Sequence, residues 1–379
     1  MLCKDLVHFV RELYGEQYIP LHRPIFDQSE KDILSHVIDS NFVSSVGKEV
    51  DQFEKEIALF TGSRYAISTV NGTAALHLAL VANNIGEGDL VITQAVSFVA
   101  TVNAISYTGA EPVFLDVDSE TLGLSPIAFK NWLSKYTETI KGVRVSKLNG
   151  KRVAACIPMH TFGTPTKIHE ILKICNENNV ILIEDAAEAL GSFTHGKHVG
   201  TFGSCSALSF NGNKIITTGG GGMIITNDPD LAVTLKHLST TAKVSHTYEY
   251  FHDSVAFNYR LPNLNAALGI AQMGKLPDIL QAKKNVHDAY VEFFREKGPR
   301  LFDVENDDIL PNYWLNALLV KNKDERNKLL EYTNQHGVMT RPLWHLLSDL
   351  PQFHDCQTDG LECSRDLYER VVNLPSSAP

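Results

Sequence analysis

The chain has 379 residues, 44% of them hydrophobic and 21% charged, and carries a net charge of −10 from 34 basic and 44 acidic side chains. A chain of this size predicts about two domains, and its acidic balance argues against nucleic acid or an anionic membrane surface as the main partner. No stretch approaches the roughly eighteen uninterrupted apolar residues of a membrane span, so no membrane partner is expected.

In chain order, Lys4, Asp5, Arg11 and Glu12 break up any signal-peptide core in residues 1–17, which read as a short amphipathic helix. The extended, proline-punctuated YIPLHRPIF (18–26) leads to a helix with Ile33, Val37 and Ile38 on one face. A second helix carries Val50, Phe53, Ile57 and Phe60 and ends at Gly62. Seven short apolar runs follow: YAISTV (65–70), DLVIT (89–93), PVFLDVD (112–118), VAACIPM (153–159), VILIEDA (180–186), CSALSF (205–210) and GMIIT (222–226). Continuous rather than alternating runs, separated by helical patterns, predict an α/β fold with a mostly parallel seven-stranded sheet between helices. Composition breaks at 246–263 and 297–311. Between them Leu264, Ala267, Leu268 and Ala271 begin a long helix, joining a large domain (1–255) to a smaller C-terminal α+β domain (256–379). The closing VVNLPSSAP reads as a loosely held tail. Six cysteines without CxxC pairs read as reduced thiols of a cytoplasmic protein. His354, Cys356 and Cys363 match no zinc spacing, so no metal is expected.

A covered parallel sheet binds ligands at the carboxyl ends of its strands. The candidates there are Asn71-Gly72-Thr73, Ser97-Phe98, His160, Asp185 and Ser209, and beyond them Lys214 in SFNGNKIITTGGGG (209–222). Each has a plain alternative. NGTAAL can be an ordinary helix cap by Asn71 or Thr73, Phe98 a core aromatic, Asp185 another cap, Lys214 a solvated charge and the glycine run a turn. Taken together they offer an anion site at a helix start, an acid for a ring nitrogen, an aromatic face and an imine-forming amine. That set is what pyridoxal 5'-phosphate requires.

On these motifs, with IPLHRPIF, PMHTFGTPT, IEDAAEALGS and FNYRLPNLNAALGIAQ, the chain resembles the fold-type-I, pyridoxal-phosphate-dependent aminotransferases of nucleotide-linked keto sugars, the DegT/StrS-like family. The resemblance implies that Lys214 joins the cofactor aldehyde, Asp185 keeps the ring nitrogen protonated and Phe98 stacks on the ring. It assigns the phosphate to the Thr73 and Ala74 amides, the Ser209 hydroxyl and, from the neighbouring subunit of a homodimer with shared sites, Asn258. Glu188 stands near the cofactor where the family commonly has Gln or His, and Gly220 where it commonly has Glu. Arg260, Arg341 and His345 are candidate contacts for substrate anions, with surface charges as the alternative. TTAKVSHTYEYFHDSVAFNYR and TRPLWHLL are most similar to the branch aminating C4 of UDP-linked 4-keto-6-deoxy-N-acetylhexosamines for legionaminic-acid-type sugars, with L-glutamate as donor. The alternatives are a non-catalytic cofactor- or sugar-binding relative, and a sugar dehydratase, which has His where this chain has Lys214.

Overall fold

The computed structural model describes residues 2–15, 18–304 and 306–379, with residues 296 and 297 described by their backbone alone. Strands β1 (Tyr65–Thr69), β2 (Asp89–Gln94), β3 (Glu111–Leu115), β4 (Arg152–Ile157), β5 (Ile181–Asp185), β6 (Cys205–Ser209) and β7 (Gly222–Thr226) lie in the order β1-β7-β6-β5-β4-β2-β3. Strands β2 to β6 pair parallel, while β7 runs antiparallel to both β1 and β6. The expected mostly parallel sheet is therefore present. The reversal of β7 was not visible because a run buried on both faces reads the same in either direction. A hairpin of Thr137–Ile140 and Val143–Ser146 extends the sheet beside β4.

Helices α1 (Leu2–Tyr14), α2 (Gln28–Ser40) and α3 (Lys48–Thr61) precede β1, and α4 (Gly72–Ala82), α5 (Val99–Tyr107), α6 (Pro126–Tyr136), α7 (Ile168–Asn178) and α8 (Pro229–Ser239) lie between or after the strands. Their starts follow capping chemistry: Asp27 and Glu30 form a reciprocal capping box on α2, Ser125 caps α6 and Asp228 caps α8. One sheet face packs Ile183, Ala207 and Ile224 against Leu76, Val102 and Leu235 of α4, α5 and α8. The other packs Val113, Cys156 and Leu182 against Phe129, Trp132 and Ile171 of α6 and α7. With both faces dry, only the strand ends remain open for chemistry.

The long helix α9 (Asn263–Lys297) leads to α10 (Lys323–Gln335), α11 (Glu362–Arg370) and an antiparallel sheet of β8 (Arg300–Leu301), β9 (Asn316–Leu319), β10 (Arg341–Pro342) and β11 (Val371–Leu374), in the order β8-β9-β11-β10. The expected N-terminal helix is α1; residues 1, 16 and 17 of that stretch lie outside the described residues. Its Leu6, Val7 and Val10 pack with Val286 and Tyr290 of α9, Leu318 of β9 and Val372 of β11. The reading of VVNLPSSAP as a loose tail is corrected. Val371–Leu374 is an inner strand and residues 371–378 are buried. The error arose because Pro and Ser composition says nothing about backbone partners, and here Ser376 N–H donates to Leu21 O while Ser376 Oγ accepts from Asn316 N–H. Among the described residues no helix is long and apolar enough to cross a membrane, and no cluster suited to a metal is present.

Candidate active site

The carboxyl ends of β1, β5 and β6 open onto one cleft of about 250 Å³, which brings together Thr73, Phe98, Asp185, Glu188, Ser209 and Lys214. At its floor is the turn from β1 into α4. Asn71 caps the helix, its Oδ1 accepting from Ala74 N–H at 2.8 Å. The plain cap is therefore present, and it leaves two donors of the same helix start free. The first-turn amides of Gly72 and Thr73 have no intrahelical acceptor, whereas the Ala74 amide, expected to hold the phosphate, is taken by the cap, so Gly72 stands in its place as the second free donor. Gly72 allows the close approach of α4 to β6, since a Cβ there would stand 3.0 Å from Ser209 Cβ.

Asp185 ends β5 fully inside the protein, and no helix follows it, so the alternative reading as a cap fails. Its Oδ2 accepts from Thr101 Oγ1 at 2.6 Å and its Oδ1 from Ala187 N–H at 3.1 Å. Burial raises its proton affinity, only partly offset by Thr101, Ala187 and the charge of Lys214. It makes no ion pair among the described residues, which leaves a buried carboxylate ready for a cation. The neighbouring acid Glu184 has separate work. It accepts from Gly200, Phe202 and Gly203 amides at 2.7–2.8 Å and from His160 Nε2 at 3.1 Å. Because His160 Nδ1 accepts from Thr166 N–H, the imidazole proton sits on Nε2. Burial opposes the charge on Glu184, yet these donors win and hold its carboxyl below the usual range.

Lys214 lies in the loop after β6, anchored by buried Ile215 and Ile216. Its Nζ is 3.2 Å from Glu188 Oε1 and 4.2 Å from the centre of the Trp314 ring. Glu188 Oε2 accepts from Phe162 N–H at 3.0 Å, and burial pushes the Glu188 carboxyl up to about 7 despite the attraction of Lys214. Phe98 remains 49% exposed at the cleft, and its ring meets Trp344 edge to face at 6.1 Å.

The other sequence candidates lie elsewhere. Arg341 and His345 line an adjoining cavity of about 600 Å³ that shares Asn213, Trp314 and Trp344 with the cleft. There His345 Nδ1 is 2.9 Å from Tyr368 Oη, and Arg341 Nη1 donates to Asn334 Oδ1 at 3.1 Å. Arg260 and Asn258 line neither cavity; Arg260 Nε donates to Asn258 Oδ1 at 3.0 Å. Sequence reasoning missed Trp314, Trp344 and Thr101. Thr101 carried a signal, three residues past Phe98 at the start of a helix. Trp314 carried none, because only the folded chain brings it back across the sheet.

These groups fit pyridoxal phosphate: free amides at a helix start beside a serine hydroxyl, an unpaired buried carboxylate, a half-exposed aromatic face and an amine opening on the same space. Comparison with known proteins agrees. Residues 24–378 match the DegT/DnrJ/EryC1/StrS aminotransferase family. The chain is 35% identical to the GDP-perosamine synthase of Escherichia coli O157:H7, over 95% of this chain and 93% of that one. It is also 35% identical to that of Vibrio cholerae, over 94% of each. Among solved structures, a DegT DnrJ EryC1 StrS aminotransferase from Brucella abortus superposes with a TM-score of 0.83 at 25% identity, over 92% of this chain and 90% of that one. Helicobacter pylori PseC superposes with a TM-score of 0.84 at 23% identity, over 95% and 94%, a likeness of fold. The chain therefore belongs to the DegT/DnrJ/EryC1/StrS aminotransferase family, whose enzymes depend on pyridoxal phosphate.

Proposed function

We propose that this protein transfers an amino group from L-glutamate to a keto sugar linked to a nucleoside diphosphate. The observation that carries the reading is Lys214 Nζ opening, with buried Asp185, onto the cleft at the strand ends. Bound pyridoxal phosphate supplies an electron sink beside the carbon that exchanges its hydrogen. The residues do the rest. The Gly72 and Thr73 amides and Ser209 Oγ bind the phosphate, Asp185 holds a proton on the ring nitrogen, and Phe98 fixes the ring plane. Lys214 Nζ takes a proton from the donor's α-carbon and later returns one to the sugar carbon. Arg341 and His345, in the adjoining cavity, face the substrate side. Asn258, exposed and away from both cavities, serves the cofactor phosphate of a second copy in a homodimer. Residues 1–255 and 256–379 act as a cofactor-binding and a smaller domain, and the six free thiols support a cytoplasmic setting.

The relatives named GDP-perosamine synthase support a GDP-linked sugar, whereas the 240–260 and TRPLWHLL segments favour a UDP-linked 4-keto-6-deoxy-N-acetylhexosamine of the legionaminic-acid type. Purified protein supplied with cofactor should be yellow, and the visible band should vanish in Lys214→Ala; a colourless wild type would sink the reading. Product mass from a panel of GDP- and UDP-linked 4-keto sugars with labelled glutamate identifies the substrate. No turnover across the panel by a coloured protein would favour a binding protein instead.

A further inference from the structure

The cleft holds two buried carboxylates and one amine, and its charge balance changes when the amine reacts. Lys214 Nζ is the only cation paired with Glu188 among the described residues, at 3.2 Å, with the two side chains 13% and 1% exposed. The other Glu188 oxygen is fixed by Phe162 N–H, from a buried residue held at a φ of 57°, a conformation a non-glycine residue keeps only where its surroundings impose it. Asp185 repels a Glu188 charge; the charges of Lys214 and Lys283 act on His22, and those of Lys214 and His160 on Asp185. An amine must lose its proton before it can attack a carbonyl. A buried carboxylate left without its cation must gain one.

We infer that Glu188 is the proton acceptor of Lys214: it takes the ammonium proton when the amine goes into use, keeps it while Lys214 works as a base, and returns it only when the cofactor leaves. An N–H bond on Nζ breaks with its electron pair staying on nitrogen as the nucleophile's lone pair, and an O–H bond forms on Glu188 Oε1. Asp185 cannot serve in its place, because its Oδ2 is held by Thr101 at 2.6 Å and it makes no contact with Nζ within ion-pair distance. Glu188 thus acts through Lys214, as a positioning residue with a proton of its own. The assignment rests on Lys214 being the cofactor lysine.

The test compares wild type with Glu188→Gln, which keeps an oxygen for Phe162 N–H. The cofactor-free proteins are trace-labelled with acetic anhydride across a pH series, and the Lys214 peptide is read by mass spectrometry. Loss of the anion should raise Lys214 labelling at neutral pH by about tenfold or more, with labelling of exposed lysines unchanged. Infrared difference spectra on adding pyridoxal phosphate, with the protein's glutamates carbon-13 labelled to separate them from Asp185, should show a protonated glutamate carboxyl in wild type. Unchanged Lys214 labelling, or no such band in wild type, overturns the inference. If Glu188→Gln does not fold, the wild-type infrared spectrum decides alone. A wild type that stays colourless would point to failure of the cofactor assignment itself.

Discussion

Thr101 sets the state of Asp185, the acid proposed for the cofactor's ring nitrogen. Its hydroxyl donates 2.6 Å to Asp185 and opposes the rise that burial imposes on that carboxyl. Hydrogen bonds to charged groups contribute about 1.5–3 kcal/mol, so Thr101→Val should slow the glutamate half-reaction roughly tenfold or more, seen in stopped-flow absorbance, with the fold intact. Glu188 makes a second, thermodynamic prediction. Its carboxyl sits at about 7 in the folded protein against 4.5 ordinarily. Between those values the folded state binds more protons than the unfolded, so stability falls as pH rises through that window. The cofactor-free wild type should therefore lose on the order of 3 kcal/mol relative to Glu188→Gln from low to neutral pH, measured by urea denaturation at each pH. A flat difference would exclude it. Lys214, Asp185, Phe98, Thr73 and Ser209 were legible in the sequence because strand ends of a parallel sheet converge by topology. Trp314 and Trp344 were not, since they arrive from beyond α9, and local pattern does not say where a returning segment lands.

The loop between β6 and β7 is the element on which the cleft depends, and its four glycines are not equivalent. Gly219 has a φ of 79°, a Cβ on Gly221 would stand 2.2 Å from Thr218 Oγ1, and one on Gly222 would stand 2.5 Å from the Asn71 backbone. Gly220 meets nothing within 4 Å and has no left-handed φ, so the position where the resemblance leads one to expect Glu has room for a side chain. Gly222→Ala should then cost about 1–3 kcal/mol by overpacking against the β1–α4 turn and weaken cofactor binding, while Gly220→Ala stays within about 0.5 kcal/mol of wild type. Thermal melts and cofactor titration check both; equal losses would refute the distinction. The loop is held from α9, where Asn265 Nδ2 donates to Thr218 O at 2.7 Å and to Gly220 O at 3.2 Å. A glycine run marks a turn in any sequence; that Gly222 is obligatory depends on Asn71, about 150 positions earlier, and that was not readable.

For the whole molecule, the proposed dimer with shared sites makes a prediction that no single chain can meet. Lys214→Ala and Asn258→Ala proteins, each impaired alone, should recover activity when mixed under exchange conditions, because some mixed dimers keep one intact site. Failure to recover would argue that Asn258 serves only its own chain. The plan of a sheet covered on both faces was legible from seven apolar runs, but the individual strands of the expected C-terminal α+β domain were not, since all four are two to four residues long and the last runs into a Pro- and Ser-rich segment. That sheet closes the chain on itself. Tyr14 Oη donates to Ser377 O at 2.9 Å, Ser376 N–H to Leu21 O at 2.8 Å, and buried Lys283 donates to Trp314 O at 3.2 Å and to Ser376 O. During synthesis, then, α1 emerges more than 250 residues before Val286 and Tyr290 of α9, and more than 350 before β11 completes the packing of its apolar face. Contacts so distant in sequence form slowly, so the nascent chain carries an exposed amphipathic helix until at least α9 has been made, a natural point of engagement for chaperones.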